Sequence, residues 1–191
     1  MIKSHNSYDL FFKEVGLDFN KTEKIVNESL KKADDGELFL ELKQSENFVF
    51  DNGKIKNASV SIDKGFGLRS VKEETSAYSH SSDINETSIK NAGKTVQTIL
   101  SSSTKSKVID PIRTNKNHYS NINPLEGFSS EEKTKLLKSI NEYARKLDKR
   151  VKQVSASLNG EWQAVHILRK GGYHCGDIRP LVRLNISVTV D

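Results

Sequence analysis

At 191 residues the chain is sized for one domain, or for one and a small appendage, and can bury a real core. Thirty Lys and Arg against 25 Asp and Glu leave a net charge of +5. No apolar run approaches the ~20 residues needed to span a bilayer, so a membrane partner is not expected. The single cysteine, Cys175, excludes an internal disulfide, and residues 1–6 lack the apolar core of a secretory signal. Together these features read as a soluble cytoplasmic protein.

The first 35 residues read as helical. Asn20 with Glu23 resembles a capping pair, and Ile25, Val26, Leu30 and Ala33 continue an apolar face. Asp34-Asp35-Gly36 ends it, the glycine suiting a left-handed position. From Glu37 the period changes to two. Leu38, Leu40 and Leu42 alternate with Phe39, Glu41 and Lys43, and Phe48-Val49-Phe50 leads to the hairpin-type turn Asp51-Asn52-Gly53. Ile55, Ala58, Val60 and Ile62 mark the returning strand. Asp63-Lys64-Gly65 reads as another turn before Phe66, Leu68 and Val71, and Lys72-Glu73-Glu74-Thr75 as the next. Loops this short make an antiparallel meander.

Ser82-Asp83 opens a second predicted helix with Ile89, Ala92, Val96, Ile99 and Leu100 on one face. Residues 101–123 show no period and read as a long loop. Ser129 with Glu132 is a capping box, and behind it Leu136, Ile140, Tyr143, Ala144 and Leu147 form the apolar stripe of a third helix. Two strands, 151–158 and 161–167, then flank Asn159-Gly160, a pair suited to a type I′ turn. The glycines of Gly171-Gly172-Tyr173-His174-Cys175-Gly176-Asp177 suggest a turn between strands. In the last segment Leu184, Ile186, Val188 and Val190 alternate with Asn185, Ser187 and Thr189, an amphipathic strand that reaches the last residue and reads as interrupted. The fold class expected is α+β: an antiparallel sheet with about three main helices packed against it.

A search for chemistry finds little. No histidine pair has helical metal spacing, and three neighbours in a tight turn, His174, Cys175 and Asp177, seldom converge tetrahedrally on zinc. Gly65-Phe66-Gly67 enters a strand rather than a helix, so it reads as close packing and not as a phosphate loop. The densest basic cluster, Arg145, Lys146, Lys149, Arg150 and Lys152, ends a helix, where cations complement the dipole. A nucleic-acid footprint should gather on one face, and direct nucleic-acid binding is not expected.

Four stretches carry a resemblance. They are Ser45-Glu46 with Asp51-Asn52-Gly53-Lys54-Ile55-Lys56; Ser61-Ile62-Asp63-Lys64-Gly65-Phe66-Gly67-Leu68-Arg69; Asn123-Pro124-Leu125-Glu126-Gly127 with the residues through Ile167; and residues 177–188, which include Arg179, Pro180 and Arg183. In this order and spacing the chain resembles the N-terminal part of the TldD/PmbA family, also described as modulators of DNA gyrase. The whole of 1–191 would form one such N-terminal domain: helix, meander and helix in 1–100, the loop of 101–123, and helix, hairpin and final strand in 124–191.

The resemblance implies a zinc metallopeptidase that degrades or processes unfolded peptides and in which two kinds of subunit can pair. It also implies that zinc sits on a His-Glu-x-x-x-His helix in a C-terminal domain beyond the matched region. No catalytic or metal-binding residue carries over, no cofactor is expected in this chain, and alone it should not hydrolyse peptides. The matching positions Glu46, Gly53, Gly65, Gly67, Arg69, Pro124, Gly127, Arg179, Pro180 and Arg183 are expected to be structural. Leu184, Ile186, Val188 and Val190 are expected at an open sheet edge. The expected partners are the C-terminal catalytic half or a TldD/PmbA-type partner subunit. The alternative is a stand-alone protein-interaction module from a split or truncated gene, and a nucleic-acid binder is a weaker one.

Overall fold

The computed structural model of the protein describes residues 6–99 and 118–191. Its centre is a five-stranded antiparallel sheet in the order β3-β2-β1-β4-β5. The strands are β1 (Asp35–Asp51), β2 (Lys54–Lys72), β3 (Thr75–Ser81), β4 (Val151–Arg169) and β5 (His174–Val190). The helices are α1 (Ser7–Asp9), α2 (Phe19–Ser29), α3 (Glu86–Ile99) and α4 (Ser130–Leu147), with a π turn at Leu10–Glu14 and a 3-10 turn at Pro124–Glu126. The α+β architecture matches the expectation from periodicity.

Strand length is where local reading failed. Asp63-Lys64-Gly65 is not a turn: β2 continues through it, with Asp63 opposite Lys43 and Gly65 opposite Glu41. Nor do Asn159 and Gly160 turn. They lie in the middle of β4, between Asn47 and Glu46 on one side and Arg183 and Val182 on the other. The reversal after β4 comes at Gly171 and Gly172, both with φ +89°, a conformation glycine adopts without strain. The Asn52-Gly53 turn is as expected, with φ of 43° and 86°. Long neighbours satisfy the backbone of 63–65 and 159–160 as ladder, which removes any gain from turning there.

Helix boundaries also shift. Asp18, not Asn20, caps α2, accepting the Lys21 N–H at 2.9 Å. Gly36 is not left-handed but belongs to β1. Asn85, rather than Ser82 or Asp83, accepts the Ser88 N–H at the start of α3, at 2.8 Å. The Ser129–Glu132 capping box is present: the Ser129 N–H reaches Glu132 Oε2 at 2.7 Å, and the Glu132 N–H reaches Ser129 Oγ at 3.2 Å. The Ser129 N–H, and next its hydroxyl, hold the Glu132 carboxyl below the usual range.

The core lies on one face of the sheet. Even-numbered residues Leu38, Leu40, Phe66, Leu68, Trp162, Ala164 and Leu168 pack with Val26 and Leu30 of α2 and Ile89, Ala92 and Val96 of α3. A second cluster forms farther along the same strands, where Phe48, Phe50, Ala156 and Leu158 meet Leu137 of α4. The α4 stripe is therefore rotated from the sequence reading. Lys133 and Leu137 point inward and Ile140 packs beside them, whereas Leu136, Tyr143 and Leu147 are exposed. Helical spacing alone cannot choose between two overlapping apolar rows; the sheet under Leu137 chose. The loop expected at 101–123 lies outside the described residues except for 118–123.

Candidate functional site

The ten family-matching positions do not converge on one site. Glu46, on the helix-covered face, is salt-bridged to Lys133 at 2.6 Å, with both side chains under 10% exposed. Lys133 also donates to the Leu125 carbonyl at 2.8 Å. Pro124 opens the 3-10 turn that presents that carbonyl, and Gly127 closes it. Asn123 is fully buried there: its amide donates to Gln44 Oε1 at 2.8 Å, and its Oδ1 accepts the Leu125 N–H at 3.0 Å. Gly160 belongs to the same junction, because a Cβ on it would run into Leu125 and meet Glu46 Cγ at 3.0 Å.

The remaining positions are spread over the sheet. Gly53 forms the β1–β2 turn. A Cβ on Gly65 would sit 2.9 Å from the Ser81 carbonyl, and one on Gly67 would strike the Tyr78 ring. Arg69 grips Glu37 with two hydrogen bonds, 2.6 and 3.2 Å. Arg179 donates to Asp177 at 2.8 Å, and Pro180 faces Trp162 across β4–β5. Proline is tolerated there because β5 is an edge strand.

That edge is the first exposed feature. Val182, Leu184, Ile186, Val188 and Val190 form an exposed apolar row along β5. Residues 184–190 carry no charge and no proline, so they lack the usual protection against edge pairing. The exposed Leu136, Tyr143 and Leu147 of α4 add apolar surface on the helix-bearing side of the sheet.

The second feature is a trough on the opposite, polar face. Two cross-strand rows build it. One runs Ser59, Asn47, Asn159, Arg183 across β2, β1, β4 and β5; the next runs Ser61, Ser45, Glu161, Leu181. Together with Asn185 these residues line a concavity of about 460 Å³. Sequence reasoning missed it because the residues are ordinary solvent-face serines and asparagines, and only the four-strand register gathers them.

The third is buried. His166, 2% exposed, lies with its Nδ1 3.2 Å from Ser7 Oγ and its ring stacked on His174 at 5.4 Å. Tyr8 and Phe12 flank it edge-on. Burial, and secondarily His174, push the imidazole down to about 4. This arrangement ties the N-terminal segment to β4. Among the described residues no three His, Cys, Asp or Glu side chains form a group that could hold a metal ion, so their donor set does not fit a zinc site. No helix among them is long and apolar enough to cross a membrane.

Two family models match the chain: PmbA/TldA metallopeptidase domain 1 over residues 36–101, and PmbA/TldA metallopeptidase central domain over residues 123–191. The chain belongs to the PmbA/TldD metallopeptidase family. The two matched segments supply β1–β3 and β4–β5 of a single sheet. A "metalloprotease TldD homolog" of Haemophilus influenzae is 37% identical over 170 residues, covering 85% of this chain and 34% of that protein. Its counterpart from Buchnera aphidicola is 36% identical over 168 residues, with 84% and 34% covered. The chain thus spans about a third of the length of these relatives. Among solved structures, a protein described as a modulator of DNA gyrase from Bacteroides thetaiotaomicron superposes with a TM-score of 0.65 at 15% identity, covering 90% of this chain and 41% of that one. TldE from Thermococcus kodakarensis gives 0.64 at 13% identity, with 90% and 43% covered. At these identities the PmbA/TldD structures speak for the fold.

Proposed function

We propose that this chain is a non-catalytic N-terminal portion of a TldD-like metallopeptidase, contributing to assembly and to the path by which unfolded peptides reach a catalytic centre formed elsewhere. Zinc, in this reading, belongs to residues beyond those present here. The observation that carries it is the β5 edge: a long strand, uncharged over residues 184–190, whose main-chain groups are paired on one side only among the described residues. An open edge accepts another strand through backbone hydrogen bonds, which suits both subunit assembly and extended peptides of varied sequence. The basic cluster supports a structural reading over a nucleic-acid one. Arg145 donates to Asn52 and to the Lys152 carbonyl, Arg150 pairs with Asp148, and Lys152 pairs with Asp191.

The test is direct. The purified chain, supplied with zinc and a flexible fluorogenic peptide, is expected to give no hydrolysis above background. Cleavage that a chelator abolishes and added zinc restores would overturn the non-catalytic assignment.

A further inference from the structure

Arg183 matches the family pattern yet has no structural task comparable with those of Arg69 or Arg179. Its Nε donates to Asn185 two residues on, at 3.0 Å, and its guanidinium faces no carboxylate partner among the described residues. It stands in the trough, where both lining acids are already neutralised, Glu161 by Lys43 at 3.1 Å and Glu46 by Lys133 at 2.6 Å. The other polar side chains of the trough, Ser45, Asn47, Ser59, Ser61, Asn159 and Asn185, are neutral, and each can both donate and accept. Apart from the bond Asn185 accepts from Arg183, their existing side-chain bonds are few and long: Asn57 to Ser59 at 3.4 Å, and Asn159 and Asn185 to Ser157 at 3.5 and 3.3 Å. Asn47 Oδ1 is enclosed and accepts from nothing among the described residues, so turning that amide toward an incoming N–H sacrifices no bond at the oxygen.

The chemistry of the lining limits what fits. There is no aromatic ring on which a base could stack, and one unpaired cation is too little for a polyanion. A row of amides and hydroxyls matches the alternating donors and acceptors of an extended main chain, and a free guanidinium fork matches a carboxylate. Four strands span roughly 14 Å, the reach of about four extended residues. The 460 Å³ volume lies within the range of ligand sites.

We propose that the trough binds a short extended peptide segment bearing a carboxylate, with Arg183 taking the carboxylate while Asn47, Asn159 and the serines take main-chain groups. This rests on the peptide-access reading above and assigns it a site away from the β5 edge. Because the contacts are to main chain, the segment's other side chains are not selected.

Amide NMR of the whole chain, titrated with Gly-Ser-Gly-Ser-Gly bearing a free carboxylate, tests it. Shifts are expected at residues 45–47, 59–61, 159–161 and 183. The C-terminally amidated peptide, and the Arg183→Gln protein, should each bind about tenfold more weakly. Arg179→Gln, outside the trough, should leave affinity unchanged. Equal binding by wild type and Arg183→Gln, or no shifts at the trough, would overturn the proposal. So would inorganic phosphate alone reproducing the full shift pattern, since that would mean simple anion binding. Shifts confined to 186–190 would overturn the trough while leaving peptide access through the edge standing.

Discussion

Lys133 is the residue least expected in the interior of α4. Its ammonium is 2.6 Å from Glu46 Oε2, accepts no exposure to speak of, and sits over the Phe48 ring at 5.9 Å. An ion pair so enclosed is weak evidence for net stabilisation, because both charges were taken out of water. Breaking it is another matter. Lys133→Ala leaves the Glu46 carboxylate buried without its cation, and a loss of about 3–5 kcal/mol is expected in urea unfolding. The double variant Glu46→Leu with Lys133→Met should recover most of that loss. A single variant within about 0.5 kcal/mol of wild type would show that the pair does not hold α4 to the sheet. The sequence showed a lysine following a capping box and a glutamate 87 residues earlier; nothing local joins them.

At the scale of elements, β5 decides how the protein meets others. Deleting residues 184–191 looks like the way to remove the sticky strand, but the pairing argues against it. Leu184 to Val190 lie opposite Leu158 to Val151, so deletion would move the open edge to β4 and uncover its core face. A charge placed on the strand is the better change, since natural edges are guarded that way. The chain is expected to self-associate with rising concentration in sedimentation velocity, and Ile186→Lys, at an exposed position, should shift it toward monomer. A wild type that stays monomeric, or association indifferent to the substitution, would remove β5 as the contact. The exposed row was legible beforehand from its strict alternation. The α4 row was not, because Leu136, Tyr143 and Leu147 share helical spacing with Ile140 and Ala144 and only contact with β4 separates them.

Across the whole molecule, the N-terminal segment is fastened by His166, and this gives stability a pH dependence. The folded imidazole titrates at about 4 against an ordinary 6.5, so the unfolded chain takes up its proton first as pH falls. Stability from this group is full above about 6.5, is lost between 6.5 and about 4, and changes no further below. A shift of this size corresponds to about 3 kcal/mol over that window. Tyr8, Ser7 and His174 face the ring, and none of them is a carboxylate that could offset a buried charge. Urea unfolding at pH 7, 5.5 and 4.5 should show the decline, and His166→Gln should flatten it. Equal slopes for the two proteins would mean that His166 is not the group responsible.

The sequence by itself determined the fold class, the Asn52-Gly53 turn, the Ser129 cap, the α2 and α3 core faces and the family, because each depends on residues close together in the chain or on a pattern several stretches long. Turns at 63–65 and 159–160 were equally plausible locally, yet 63–65 became ladder against the 17 residues of β1, and 159–160 between β1 and β5, each also of 17 residues. Register is a pairwise property: which serines and asparagines share a face, and which lysine meets which glutamate, follow from alignment across strands far apart in sequence. The burial of Lys133 and His166, the rotation of α4 and the trough around Arg183 therefore belong to the tertiary structure, where backbone pairing and core packing outweigh local preference.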